Sequence, residues 1–301
     1  MKLSIIYPVL NQFPLAQAAV DSAIQNLSGE HEVEIVILDN NSDIVITSPF
    51  ISPQFLPSKR QKVIRYNKNI GVYPTFWEAL KYTDTDIIAY LHSDLIICEK
   101  GWDKRLLKAF EDDPKLGLVG FIGSSEIDSA GGRGYGTTSN FQGKAHIRGN
   151  LLKVSKLVWN GSHARIHGRM SDGLSPAKVV DGCAMVFRRS VLEQIPERKD
   201  FPPHHFYDRL LSCEVIELGY KVAVLGIACD HISNATVSHE QKYWDMAEAW
   251  ARAHGLVPVL EGLKFDTSAV KPNWDMALYK EAERQWLSEY RDIKHFIPCK
   301  I

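Results

Sequence analysis

Short apolar, β-prone runs alternate along the first part of the chain with stretches whose apolar residues recur at helical spacing. "KLSIIYPV" predicts a strand and residues 14–27 a helix. "EVEIVILDNNS" predicts a second strand that ends in polar residues. "QKVIRYNKNIG" predicts a third, followed by a helix over about 75–82. "TDIIAYLHSD" is the fourth, with a helix over about 102–110 behind it, and "LGLVGFIG" is the fifth. Near-continuous Val, Ile and Leu runs are typical of strands buried on both faces. Strand and helix in alternation predict an α/β fold: a mostly parallel, doubly wound sheet with helices on both faces.

The alternation breaks at Ser124. "SSEIDSAGGRGYGTTSNFQG" is rich in Gly, Ser and Thr and predicts a long loop. Residues 133–178 carry eight Lys or Arg, three His and one acid, Asp172, which makes this stretch locally basic. The strand pattern returns in "KVVDGCAMVFRRSVL", strand then helix. "HHFYDRLLSCEVIELGYKVAVLG" predicts a helix stopped by Gly219 and then another strand. Beyond His239 the pattern is helical to the end, with Trp244, Trp250, Trp274 and Trp286 on amphipathic stretches. The expected layout is a catalytic-type domain over 1–238, with a variable insert at about 124–178, and a helical extension over 239–301.

Composition narrows the class. A net charge of -1 argues against sequence-blind binding to a polyanion. Five cysteines without a CxxC pair form neither a zinc motif nor a disulfide framework, and suit a reducing, cytoplasmic compartment. No run approaches the length of a membrane span, which leaves peripheral attachment at the inner membrane surface open.

Ligands of open α/β sheets bind beyond the carboxyl ends of the strands. The polar residues there are Asn11, Asp39, Asn69 and Asp94. Asp94 stands out, because "DIIAYLHSDLII" interrupts an apolar run to place a carboxylate. A buried carboxylate needs a partner. It either caps the following segment or holds a divalent cation together with a substrate phosphate.

The ordered pieces "SIIYPVLNQ", "VILDNNS", "NKNIGV", "IIAYLHSDLII", "VDGCAMVFRRSVL", "FYDRLLSCEVIELGYKV" and "DHIS" resemble the family-2 glycosyltransferases of the GT-A fold. The resemblance runs from about residue 2 to 233. It implies an inverting transfer of sugar from a nucleotide-sugar donor (a UDP-, GDP- or dTDP-sugar) with Mn or Mg as cofactor. It implies that Pro8 and Asn11 meet the nucleotide, that Asp39 contacts base or ribose, and that Asn69 and Gly71 border the donor. The family's Asp-x-Asp motif falls on His92, Ser93 and Asp94, with Asp94 the metal ligand; His92 departs from the first Asp and, with Ser93, is placed on the donor nucleotide. His231 takes the place of a further metal ligand. Asp181 and Gly182 match the stretch between donor sugar and acceptor. The family's general base, in a Glu-Asp pair opening a helix, falls on Asp208, and Tyr207 replaces the Glu.

The basic stretch, with Arg148, Lys153, Lys156, Arg165 and Arg169, fits a phosphate-bearing glycan or lipid-linked acceptor. Tyr135, Phe141 and Trp159 keep a nucleic acid with a modified base as a minor alternative. The Trp-rich tail is expected to pack on the catalytic domain or to pair two subunits as a homodimer. A non-catalytic module that binds sugar nucleotide or glycan is the competing reading, since fold alone does not establish chemistry.

Overall fold

The computed structural model describes residues 1–11, 13–43, 60–124, 139–141, 173–199, 201, 204 and 206–231. The basic residues Arg148 to Arg169 and the tail over 239–301 lie outside them. The chain opens with β1 (Leu3–Val9), α1 (Phe13–Gln25), β2 (Val33–Asp39), β3 (Gln61–Arg65) and α2 (Thr75–Leu80). β4 (Ile87–Leu91), β5 (Leu95–Ile97), α3 (Trp102–Asp112), β6 (Leu116–Gly120), β7 (Ile122–Ser124) and β8 (Ser139–Phe141) follow. Next come β9 (Leu174–Ala177), β10 (Val179–Val180), β11 (Ala184–Arg188) and α4 (Arg189–Leu192). α5 (Tyr207–Glu217), β12 (Lys221–Leu225) and β13 (Cys229–His231) complete the described elements.

Eight strands form the central sheet in the order β3-β2-β1-β4-β11-β6-β12-β9. β1 to β4 are parallel to one another, as are β6 and β12, while β11 and β9 run against their neighbours. The sheet is thus mostly parallel, as the strand–helix alternation predicts. Because successive side chains leave opposite faces of a strand, each inner strand feeds two cores. Leu3, Ile5, Tyr7 and Val9 join α1 and α3 on one face, while Ile6 points to α2 and α5 on the other. β2 and β4 divide in the same way. That two-sided burial explains why these strands read as unbroken apolar runs. Ser4 interrupts β1 at no cost in unpaired polarity, since its Oγ lies 2.5 Å from both Glu34 and Thr85.

Two runs that look single in the sequence divide in space. "LGLVGFIG" bends at Phe121, and β7 leaves the main sheet to pair with β8 and β10. The glycines permit this close approach. A Cβ at Gly120 would lie 2.6 Å from Val180 Cγ1, and one at Gly123 would lie 2.6 Å from Val224 Cγ2. The other run, "IIAYLHSDLII", ends as β4 at Leu91, turns through His92–Asp94, and resumes as β5. β5 pairs with β13 rather than with the main sheet, and His231 stands opposite Leu95.

The chain order reverses between β1 and β4. β2 and β3 build outward on one side of β1, and β4 is added on the other. Register between β1 and β4 ends at Ile6 and Tyr90, short of the last residues of β1 and of the turn after β4. Such a switch point is where open α/β sheets take their ligands.

Candidate active site

Two groups of polar residues lie at or near these strand ends. The first is built on the ends of β1, β2 and β3. Asp39 is fully buried; its Oδ1 accepts from the Ser42 N–H at 2.9 Å and its Oδ2 meets Arg65 Nη1 at 2.6 Å. Arg65 also donates to the Ser42 carbonyl at 2.6 Å. Asn11, in a left-handed conformation at φ 59°, accepts from the Asp43 N–H through Oδ1, while its own N–H donates to Ser42 Oγ. Short polar side chains tolerate that conformation best among non-glycine residues. Asn69 Oδ1 accepts from the Gly71 N–H at 2.8 Å, and Gly71 takes φ 85° to close the turn. Asn40 ties the two loops together, donating to the Gly71 carbonyl and accepting from the Ile70 N–H. Pro8 lies in β1 beyond the last pairing with β4, where its missing N–H costs no bond on that side.

The polar atoms of Asp39, Asn11 and Asn69 therefore hold the loops in shape. Asn40, Ser42 and Arg65 share that work. The polar run "LDNNS" is the sequence signal for the first two, whereas nothing in "QKVIR" marks Arg65.

The second group forms where β4, β5 and β13 meet. His92, Asp94 and His231 bring one ligand-type atom each to within 4.8 Å of one another. Asp94 Oδ1 lies 3.2 Å from His231 Nε2 and 3.7 Å from His92 Nδ1. That oxygen is buried and accepts no hydrogen bond of good geometry among the described residues. Ser93 lies in the turn between the two ligand-type residues. Burial works to raise the Asp94 pKa, but the imidazoles of His231 and His92 outweigh it and hold the carboxyl below its ordinary value. Burial lowers the His92 pKa, aided by His231 and opposed by Asp94, so the ring is neutral. Two imidazole nitrogens and a carboxylate oxygen, gathered around a buried oxygen without a good donor, fit a divalent transition-type cation.

His92 Nε2 lies 2.9 Å from the Tyr207 hydroxyl, and the His92 N–H donates to the Cys183 carbonyl at 2.9 Å. Asp181 Oδ1 accepts from the Cys183 N–H at 2.9 Å, which shapes the turn before β11. Gly182 has a steric role there. A Cβ at this position would strike the Tyr207 ring, 2.8 Å from Cζ. Asp208 sits in the first turn of α5, buried, with its Oδ1 accepting from the Arg209 N–H at 2.9 Å and from Arg209 Nη1 at 2.8 Å. The Arg209 guanidinium lies over the Phe206 ring at 4.8 Å. Asp181 and Asp208 are near enough for their charges to act on the His92 ring. The second group thus unites His92, Asp94, His231, Asp181, Gly182 and Asp208, drawn from four separate parts of the chain. Tyr207, a departure from the family pattern in sequence, meets His92 and packs over Gly182.

Residues 68–256, which include this second group, match a glycosyltransferase-like family. The chain belongs to that family. The chain is similar to solved structures of glycosyltransferases. One is GalNAc-T7 with UDP, GalNAc and Mn2+, at 12% identity and a TM-score of 0.57, covering 99% of this chain and 58% of that one. Another is mannosyltransferase PcManGT from Pyrobaculum calidifontis in complex with GDP-Man and Mn2+, at 15% identity and a TM-score of 0.49, covering 96% and 84%. A third is S. aureus TarS 1-349, at 17% identity and a TM-score of 0.43, covering 75% and 58%. A search of curated proteins finds none that matches. This glycosyltransferase has the GT-A fold, and no helix among its described residues is long and apolar enough to cross a membrane.

Proposed function

We propose that this glycosyltransferase moves a sugar from a nucleoside-diphosphate sugar to an acceptor hydroxyl, with inversion at the anomeric carbon. The observation that carries the reading is the Asp94 oxygen, buried between two imidazoles at the switch point of the sheet. A divalent ion bound by Asp94, His231 and His92 would offset the charge of the leaving diphosphate. The GT-A neighbour solved with UDP, GalNAc and Mn2+ is a precedent for that combination.

The chain's own residues supply the rest. The described residues that follow β1, β2 and β3 are tied together by Asp39, Arg65, Asn40 and Ser42, and would form a preset wall for the nucleoside at Pro8, Asn11, Asn69 and Gly71. Presetting spares the cost of ordering these loops when donor binds. Asp208 is the general base. Arg209 takes Oδ1, so the carboxylate is held in one orientation. Oδ2 takes the proton of the acceptor hydroxyl as its oxygen bonds to the anomeric carbon and the nucleoside diphosphate leaves. Asp181 borders the same space.

The acceptor is a glycan or lipid-linked saccharide, recognised through the basic residues of the 124–178 insert. The catalytic domain spans 1–238, and 239–301 is an extension to it.

Asp208→Asn tests the assignment, because it keeps the size of the side chain and an oxygen for Arg209 but cannot take the proton. Transfer should fall by about a hundredfold or more, with donor affinity nearly unchanged. Near-normal turnover would place the base elsewhere. The anomeric configuration of the product, read by NMR, gives an independent check, and retained configuration would reject the single displacement.

A further inference from the structure

We propose that Tyr207 is a positioning residue that fixes the tautomer of His92, directing the Nδ1 lone pair of that ring at the metal site. The inference rests on the reading of the His92–Asp94–His231 cluster as that site. It joins the chain's two departures from the family pattern, His92 and Tyr207, into one unit, since the structure places them 2.9 Å apart.

A neutral imidazole has one N–H and one lone pair, and the partner of one nitrogen decides the role of the other. His92 Nε2 faces the Tyr207 hydroxyl at hydrogen-bond distance. Nδ1 faces Asp94 Oδ1 at 3.7 Å, too far for a hydrogen bond. With the proton on Nε2, that N–H donates to the Tyr207 hydroxyl oxygen and Nδ1 is left as an acceptor toward the cluster. With the proton on Nδ1, the Tyr207 hydroxyl would donate to Nε2 instead, and the Nδ1–H would face Asp94 Oδ1 across 3.7 Å, beyond hydrogen-bond length.

The ring that carries the hydroxyl is held by packing. Tyr207 stacks obliquely near Phe76 at 5.7 Å and occupies the space that Gly182 leaves by having no Cβ. Outer partners of this kind orient metal-binding imidazoles.

The test uses Mn2+ alone, titrated into the full chain and followed by the electron paramagnetic resonance of the free ion. Tyr207→Phe retains the ring and should weaken Mn2+ binding by about tenfold to a hundredfold. In a His92→Ala background the same change should have no further effect, because Tyr207 acts only through His92. Nitrogen-15 NMR of the metal-free protein should show the Nε2–H tautomer of His92 in the wild type and a mixture in Tyr207→Phe. Equal Mn2+ affinity of wild type and Tyr207→Phe would overturn the proposal, as would an Nδ1–H tautomer in the wild type. Failure of the wild type to bind Mn2+, with the tautomer pattern as expected, would instead sink the metal reading and uphold the hydrogen-bond assignment.

Discussion

At position 92 the side chain is a base that the fold holds without its proton. Burial depresses the His92 pKa from about 6.5, so between that value and the folded one the unfolded chain binds more protons than the native one. Stability then rises with pH across that interval. His92's contribution is fully present above about 6.5 and is lost as the pH falls through the folded value. Asp94, depressed from 3.8, contributes in a separate and more acidic window. Melting temperatures of the metal-free protein should therefore fall from pH 7 toward 5, and His92→Gln should flatten this part of the profile. Identical slopes in the two proteins would contradict the account. Of these residues, the sequence motif singled out Asp94 and His231 as ligands and assigned His92 to the nucleotide. The reason is geometric. A turn of three residues between β4 and β5 swings His92 and Asp94 toward the same point, and a motif read as a string carries no such direction.

Two adjacent arginines show how one strand end anchors two helices. Arg188 ends β11 and Arg189 opens α4, and their side chains reach the helices on opposite faces of the sheet. Arg188 donates to the carbonyls of Phe110, Asp113 and Leu116 around the end of α3, at 2.7, 3.2 and 3.1 Å. Arg189 donates to the carbonyls of Leu80 and Thr83 around the end of α2, at 3.0 and 2.8 Å. Cations at helix carboxyl ends satisfy the last carbonyls and favour the dipole. Arg188→Met keeps much of the apolar stem but leaves part-buried carbonyls unpaired, at a cost of about 2 kcal/mol. Arg188→Lys should recover only part, since an ammonium lacks the fork. Urea unfolding should show a lower midpoint at an unchanged slope, and an unshifted midpoint for Arg188→Met would refute the anchoring role. The strands β1 to β4 and the helices α1, α2, α3 and α5 were legible from apolar periodicity and from Gly219, which takes φ 80° after α5. That β11 enters antiparallel between β4 and β6 was not, because periodicity fixes a strand's faces and not its direction. The pairing of β5 with β13 joins residues about 130 positions apart, and no local signal encodes it.

Across the whole molecule, the parallel strands on one side of the switch point carry the tied loop ends, and the turn after β4 carries two residues of the His92–Asp94–His231 cluster. Both groups lie at the carboxyl ends of the strands, which is the basis for proposing one donor site. Mn2+-dependent binding of a nucleoside-diphosphate sugar, measured by calorimetry across a donor panel for the wild type and for Asp94→Asn, tests that claim most directly. Asp94→Asn keeps the shape of the side chain and removes the charge proposed to hold the cation. The account predicts saturable binding of one donor class by the wild type in Mn2+, little binding in chelator, and loss of the Mn2+ dependence in Asp94→Asn, whose ligand-free protein still melts cooperatively. Donor binding indifferent to Mn2+, or equal in the two proteins, would contradict it.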